Sequence, residues 1–268
     1  MQKLLQRYRY SVILLKQLVK TDFKLRYQGS ALGYMWSLLR PLLLFLILYL
    51  VFTVFLPVGK GVPHYPQYLL LGIVLWNYFA EVTTGSVAAI VGKGDLLRKI
   101  NFPKYVIILA SSFSALINLF LNSIVIAIFI YFGHVGISWN ALLLIPLIVE
   151  LFILAISIAF LLSALFVRFR DVSYIWEVVM QAAFYATPIL YALQRVPHEY
   201  AKFLILNPMA QIIQDARHAL IGPYALTISD IYGGDRLIWL IPLGITAVLA
   251  ISGGSYFRAR SKYFAEEV

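Results

Sequence analysis

The chain has 268 residues, 62% hydrophobic and only 13% charged, with a formal net charge of +10. That is far too apolar for a soluble domain, and the apolar residues come in long blocks, so lipid is the solvent for most of the chain. Cysteine is absent, which excludes disulfides, thiol redox chemistry and thiolate-held zinc. The bases flank the apolar blocks, so their partner is anionic lipid headgroups and not nucleic acid.

The first 30 residues carry Lys3, Arg7, Arg9, Lys16, Lys20, Lys24 and Arg26. They hold no apolar core of a cleavable signal, so the mature chain is expected to begin at Met1. At roughly 100° per residue, Lys16, Gln17, Lys20, Thr21, Lys24 and Gln28 share one side of a helix over residues 12–28. Val12, Leu14, Leu15, Leu18, Val19, Phe23 and Leu25 share the other, while Ile13, Asp22 and Arg26 break the pattern. This predicts an amphipathic helix on the cytoplasmic headgroup layer; the plainer reading is a basic tail that only sets topology.

Six stretches then reach the roughly 20 apolar residues that a span requires: residues 33–56, 68–91, 105–132, 141–167, 172–193 and 237–257. Their few charges are Arg40, Glu81, Glu150 and Glu177. With the amino terminus inside, 17 of the 22 Lys and Arg residues fall on the inner side. The positive-inside rule therefore places both termini in the cytoplasm. The chain divides into an interface helix (1–30), a six-span domain (31–257) and a cytoplasmic tail (258–268).

The inner loop 92–104 contains Gly94, Asp95, Leu96, Leu97, Arg98, Lys99 and Ile100. Asp95 is placed to cap a short helix, and Leu96, Leu97 and Ile100 give it an apolar stripe. A stripe pointing into the cytoplasm implies a protein partner; the alternative is a turn tucked against the bundle. The long outer stretch 192–236 predicts a helix starting at Pro208, capped by Asn207 and stopped by Gly222-Pro223. Met209, Ile212, Ile213, Ala216 and Leu220 form one face, with Gln211, Gln214, Asp215 and His218 opposite. At about 21 Å it is too short to span, and it reads as an amphipathic, interfacial or re-entrant helix.

Catalytic patterns are missing. Gly92-Lys93-Gly94 lacks the spacing of a nucleotide-binding loop, and no His-Glu-x-x-His is present. His64, His134, His198 and His218 share no ligand spacing. Glu81, Glu150 and Glu177 are functional candidates because burying them is costly, but they make a poor ion-coupling relay. Aromatic residues form 15% of the chain; most suit interfacial belts, and a subset suits a conduit in which sugar C–H faces stack on rings.

Several runs carry a family resemblance. They are Lys24-Leu25-Arg26-Tyr27-Gln28-Gly29-Ser30-Ala31-Leu32-Gly33-Tyr34-Met35-Trp36-Ser37-Leu38-Leu39-Arg40-Pro41-Leu42; Asp95-Leu96-Leu97-Arg98-Lys99 with Phe102-Pro103; Phe169-Arg170-Asp171-Val172; Thr187-Pro188-Ile189-Leu190-Tyr191; and Leu206-Asn207-Pro208-Met209. In this order the chain resembles the permease subunits of ABC-type polysaccharide exporters, which move O-antigen, teichoic acid, capsular or rhamnose-rich wall polymers. Arg40 stands where a more neutral residue is expected.

The resemblance implies an all-α membrane fold in the bacterial cell membrane. Two copies would pair with two separate ATPase subunits, which hold the ATP and Mg, so this chain has no cofactor and is not itself an enzyme. It implies a cargo on a polyprenyl pyrophosphate lipid. Docking on the ATPase would fall to Gly94, Asp95, Leu96, Leu97, Arg98 and Lys99, with Lys16, Lys20 and Lys24 on the first helix. The outer gate would include Asn207, Pro208, Met209 and Arg217. Tyr34, Trp36, Tyr49, Phe52, Glu81, Tyr185 and Tyr191 are the candidates for the cargo path. The alternatives are a drug or small-lipid exporter of the same fold, an ion-coupled carrier, for which no internal repeat is seen, and an intramembrane enzyme, for which paired acids are missing.

Overall fold

The computed structural model describes residues 2–27, 29–30, 32–100, 102–136, 138–235 and 237–267. Its regular elements are all helical, with no strand among the described residues. Backbone polar groups in hydrocarbon must be met within their own segment, and a helix does that.

Helix α1 (Gln2–Tyr27) begins ten residues before the expected start. Leu14, Leu15 and Leu18 pack on the core while Lys16, Lys20 and Lys24 are exposed, but so are Val12 and Ile13. The helix lies against α5 (Tyr105–Phe132), where the Ser114 hydroxyl reaches the Val19 carbonyl at 3.4 Å. Gln28 and the side chain of Leu25 fall outside what the structure describes.

A 3-10 turn, Gly33–Met35, leads into α2 (Trp36–Leu50), which widens into a π turn at Val51–Phe55. Helix α3 (Tyr65–Val87) is the centre of the bundle, flanked by α2, α5, α6 (Leu144–Arg168) and α9 (Pro208–Ile221). After Val87 the chain bends by 60° into Val91–Lys99, which ends as α4 (Gly94–Lys99). Helix α6 pairs with α11 (Leu240–Arg260), and Gly253 allows the close approach, since a Cβ there would meet the Ser157 carbonyl. Small residues at such crossings replace the hydrophobic drive that lipid removes.

Among the described residues, four helical segments are long and apolar enough to cross a membrane: Gly33–Phe55, Tyr105–Phe132, Trp139–Arg168 and Leu237–Arg260. The bent pair from Tyr65 to Lys99 makes a fifth. The expected fifth span over 172–193 is not one long helix. Helix α7 (Val172–Ala186) has 15 residues, about 22 Å, short of the roughly 30 Å of hydrocarbon. Thr187 is extended (ψ 137°) because the ring of Pro188 disfavours helical backbone at the preceding residue.

Two ends of the bundle differ. At one, α1, α4 and the carboxy-terminal α12 (Phe264–Glu267) gather: Lys93, just before α4, makes an ion pair with Asp22 of α1 at 3.0 Å, and α12 packs on α4. At the other lie α8 (His198–Ile205), the start of α9 and α10 (Ile228–Ile231). The Tyr65 hydroxyl at the start of α3 donates to the Leu190 carbonyl there at 2.8 Å.

Candidate functional site

Between α2, α3 and α5 a cleft of about 850 Å³ opens. Trp36 and Arg40 come from α2, Asn77, Glu81 and Thr84 from α3, and Asn118 and Asn122 from α5. The spacings are helical, one turn or two apart on each element, so each helix turns a polar stripe to the same space. The Asn118 amide donates to the Glu81 carboxylate at 2.8 Å, and the Asn122 amide to the carbonyls of Ser37 at 3.2 Å and Asn118 at 2.8 Å. The cleft thus has a fixed polar wall. Arg40 is exposed at its rim. Trp36 and Glu81, two of the seven residues expected on the cargo path, meet here.

At the opposite end, α9 is capped as its sequence indicates: the Asn207 side chain accepts from the Met209 N–H at 3.0 Å, and Gly222 ends the helix at φ 113°. Pro208 and Met209 are buried and Asn207 is exposed. The expected amphipathic exposure does not hold. Gln211, Gln214 and Asp215 are buried along with the apolar face, because α9 is lodged between α3 and α6 instead of resting on a surface.

Arg217 is fully buried. Its Nε donates to the Tyr68 carbonyl at 3.0 Å; Nη1 donates to Pro188 O at 2.5 Å and Gln214 Oε1 at 2.9 Å; Nη2 donates to Ile189 O at 2.7 Å. The guanidinium also lies 3.5 Å from the Tyr68 ring centroid. Five donors in a planar fork suit this task, which an ammonium could not match. The carbonyls of Pro188 and Ile189 are free because the chain leaves the helix at Thr187; Arg217 fills that gap. Nearby, the Gln211 amide donates to Asp215 at 2.6 Å, and Glu150 of α6 faces Asp215. Glu150 Oε1, Gln211 Oε1 and Asp215 Oδ1 are buried without a hydrogen-bond partner.

On α4 the expected apolar stripe is only partly outward. Leu97 is 4% exposed and belongs to the core; Leu96 packs against it, and Ile100 is the exposed member. Asp95, Arg98 and Lys99 face outward, and Gly94 is buried. Asp95 lies inside the first turn and is not the cap, a position taken by Lys93 without side-chain capping.

The other path candidates scatter. Tyr34 is exposed and stacks on Phe23 at 5.1 Å, and Tyr49 and Phe52 pack against the core. The Tyr191 hydroxyl donates to the carbonyls of Tyr185 and Ala186, both at 3.3 Å. Tyr185 lies on α7, where Tyr174, Glu177, Val178, Gln181 and Tyr185 form one exposed stripe at helical spacing.

Counting charges alone misses part of this. Asn118 and Asn122, four apart in a stretch without charges, already marked a polar face. Asp22, which breaks the α1 pattern, is the partner of Lys93.

The sequence is similar to those of known proteins. The model of the ABC-2 type transporter family matches residues 13–221. An O-antigen export system permease protein, RfbA, of Myxococcus xanthus is 28% identical over 264 residues, covering 97% of each chain. A protein of the same description from Klebsiella pneumoniae is 33% identical over 210 residues, 76% of this chain and 78% of its own. The polysialic acid transport protein KpsM of Escherichia coli is 23% identical over 205 residues, covering 76% and 79%.

Proposed function

This chain belongs to the ABC-2 type transporter family, and from that premise we propose that it is the membrane subunit of an ATP-driven exporter of a bacterial surface polysaccharide. The relatives are named for O-antigen export and polysialic acid transport. The cargo in this reading is a polymer on a polyprenyl pyrophosphate. Two copies enclose its path, and each docks one separate ATPase subunit that holds ATP and Mg.

The observation that carries the reading is the exposed stripe of α7. Tyr174 and Tyr185 are 71% and 70% exposed, with Glu177 and Gln181 exposed between them. A carboxylate and an amide are costly against acyl chains, while rings and hydrogen-bonding groups together suit sugars. A second copy facing this stripe across a polar path removes the cost. The cleft between α2, α3 and α5 is about 850 Å³, the size of a small-molecule site, which also favours a path between copies for a polymer.

Orientation follows from charge. The end that gathers α1, α4 and α12 carries Lys93, Arg98, Lys99, Lys104, Arg168, Arg170 and Arg258, so it faces the cytoplasm. The chain then crosses six times, the fifth crossing made by α7 with the non-helical segment after it. Coupling runs through the outward Asp95, Arg98 and Lys99, while buried Leu97 transmits displacement of α4 to the bundle.

The test is purification of the chain with its co-encoded ATPase, together with loss of surface polysaccharide on deletion. Co-purification and raised ATP hydrolysis are expected. Transport by the chain alone, or surface polymer unchanged in the deletion strain, removes the reading.

A further inference from the structure

Helix α4 has six residues and α12 four, and helices this short do not hold their shape alone in water. Each depends on what it packs against. Apart from the turn leading into it, the element that packs most on α4 is α12, and α12 also packs on α6.

Phe264, the first residue of α12, is completely buried. Its ring lies edge to face with Phe257 of α11, the centroids 5.4 Å apart, and Phe257 in turn lies 4.8 Å from Phe160 of α6. A row of rings therefore joins α12 to both helices of the α6–α11 pair. Charge closes the hook. Arg260 at the end of α11 donates from Nη2 to both carboxylate oxygens of Glu267, at 2.8 and 3.1 Å. The turn between them is fixed by the Tyr263 N–H, which donates to the Arg260 carbonyl at 3.0 Å.

We propose that α12 is a latch coupling α4 to the α6–α11 pair, with Phe264 as its positioning residue and the Arg260–Glu267 ion pair as its clasp. The inference rests on the exporter reading, in which α4 docks on the ATPase. It adds the route by which movement of α4 reaches two helices that are distant from it in the chain.

The two routes out of α4 differ in stiffness. Along the chain, α4 follows α3 through the 60° bend after Val87, and such a bend absorbs rotation as a hinge. Through space, α4 meets α12, and close-packed rings carry strain onward without yielding. Helices α6 and α11 then move as one body, because the backbone at Gly253 sits directly on the Ser157 carbonyl. A segment that merely covered the end of α11 would have no need to rest on α4 and α6. Its contact with both assigns α12 the transmitting role.

The test uses the full-length chain with Phe264→Ala, with Glu267→Arg, and with the charge-swapped pair Arg260→Glu and Glu267→Arg. Hydrogen exchange over residues 94–99 is read on the permease in detergent. It is expected to quicken about tenfold in Phe264→Ala and about threefold in Glu267→Arg, with exchange in the middle of α3 unaltered. In complex with the co-encoded ATPase, Glu267→Arg should keep co-purification and the KM for ATP and lower stimulated kcat about threefold. The swapped pair should recover most of both losses. Equal quickening in α3 overturns the latch, since it marks a general loss of packing. So does exchange over 94–99 that Glu267→Arg leaves as in the parent, or a swapped pair that recovers nothing. Should Phe264→Ala fail to accumulate, the charge variants decide alone. If the latch variants behave as the parent while the parent still stimulates the ATPase, the latch falls and the exporter reading stands. If the parent neither co-purifies with the ATPase nor is needed for surface polysaccharide, the exporter reading falls and the coupling route with it.

Discussion

Two arginines inside the bundle show how differently one residue type is used. Arg217 on α9 makes four N–H bonds, to acceptors from α3, α9 and the segment after α7, with its face on Tyr68. Arg40 on α2 stands at the edge of an open cleft, with none of its donors occupied by a described residue. Burying a charge is tolerable only when every donor is met. Arg217 is therefore part of the scaffold, and Arg40 has capacity left for a ligand. The contrast extends to their surroundings: the α9 end is closed by contacts distant in sequence, while the cleft keeps a polar wall facing space.

The sharpest way to break this contrast is Arg217→Met. It removes the donors that Arg217 supplies to the carbonyls of Pro188 and Ile189, which lie outside any helix, and a loss of about 3–5 kcal/mol is expected. Thermal unfolding in detergent reads it; a midpoint like that of the parent would show that Arg217 is as dispensable to the fold as Arg40. At the α4 end the same distinction separates neighbours. Leu97→Asp places a carboxylate at a core position, and about 3–4 kcal/mol should be lost. Asp95→Lys with Lys99→Glu should leave the melting curve alone and cut ATPase stimulation about tenfold. Equal destabilisation by both variants would deny the division between buried anchor and outward docking groups.

Smaller effects sharpen the picture. Glu150 and Asp215 face each other with orphaned oxygens, so Glu150→Gln removes one of two facing acids and adds a donor. A gain of about 1 kcal/mol is expected, read as a higher melting midpoint; a clear loss would assign Glu150 a partner that the α9 end needs. Lys93→Ala breaks the half-buried pair with Asp22 and should cost about 0.5–1 kcal/mol. Hydrogen exchange in α1 is the finer readout, since this pair ties α1 to the turn before α4.

Much of the candidate site was legible residue by residue, yet its assembly was not. The Asn207 cap and the Gly222 stop appear in the structure as the local pattern indicates, because capping depends on neighbours two or three residues away. The burial of Gln211, Gln214 and Asp215 could not be read in the same way. Their helical period separates a polar from an apolar face, and only the neighbouring α3 and α6 turn the polar face inward. Pro188 did carry a readable signal against a continuous fifth span, and the apolar run around it masked that signal. Leu97 and Ile100 have the same local character, and packing alone makes one core and leaves the other exposed.

By itself, the sequence determined that this chain lives in lipid, where its long spans begin and end, and which end carries the positive charge. Those properties are sums over contiguous residues, and hydrophobic transfer is close to additive along a segment. The tertiary structure alone decided which polar groups are spent and which remain open. Arg217 finds an acceptor 149 positions away at Tyr68, and the cleft of Arg40 exists only where three helices meet. Electrostatic worth in a low-dielectric interior depends on the nearest few ångströms of surroundings, and those are set by folding.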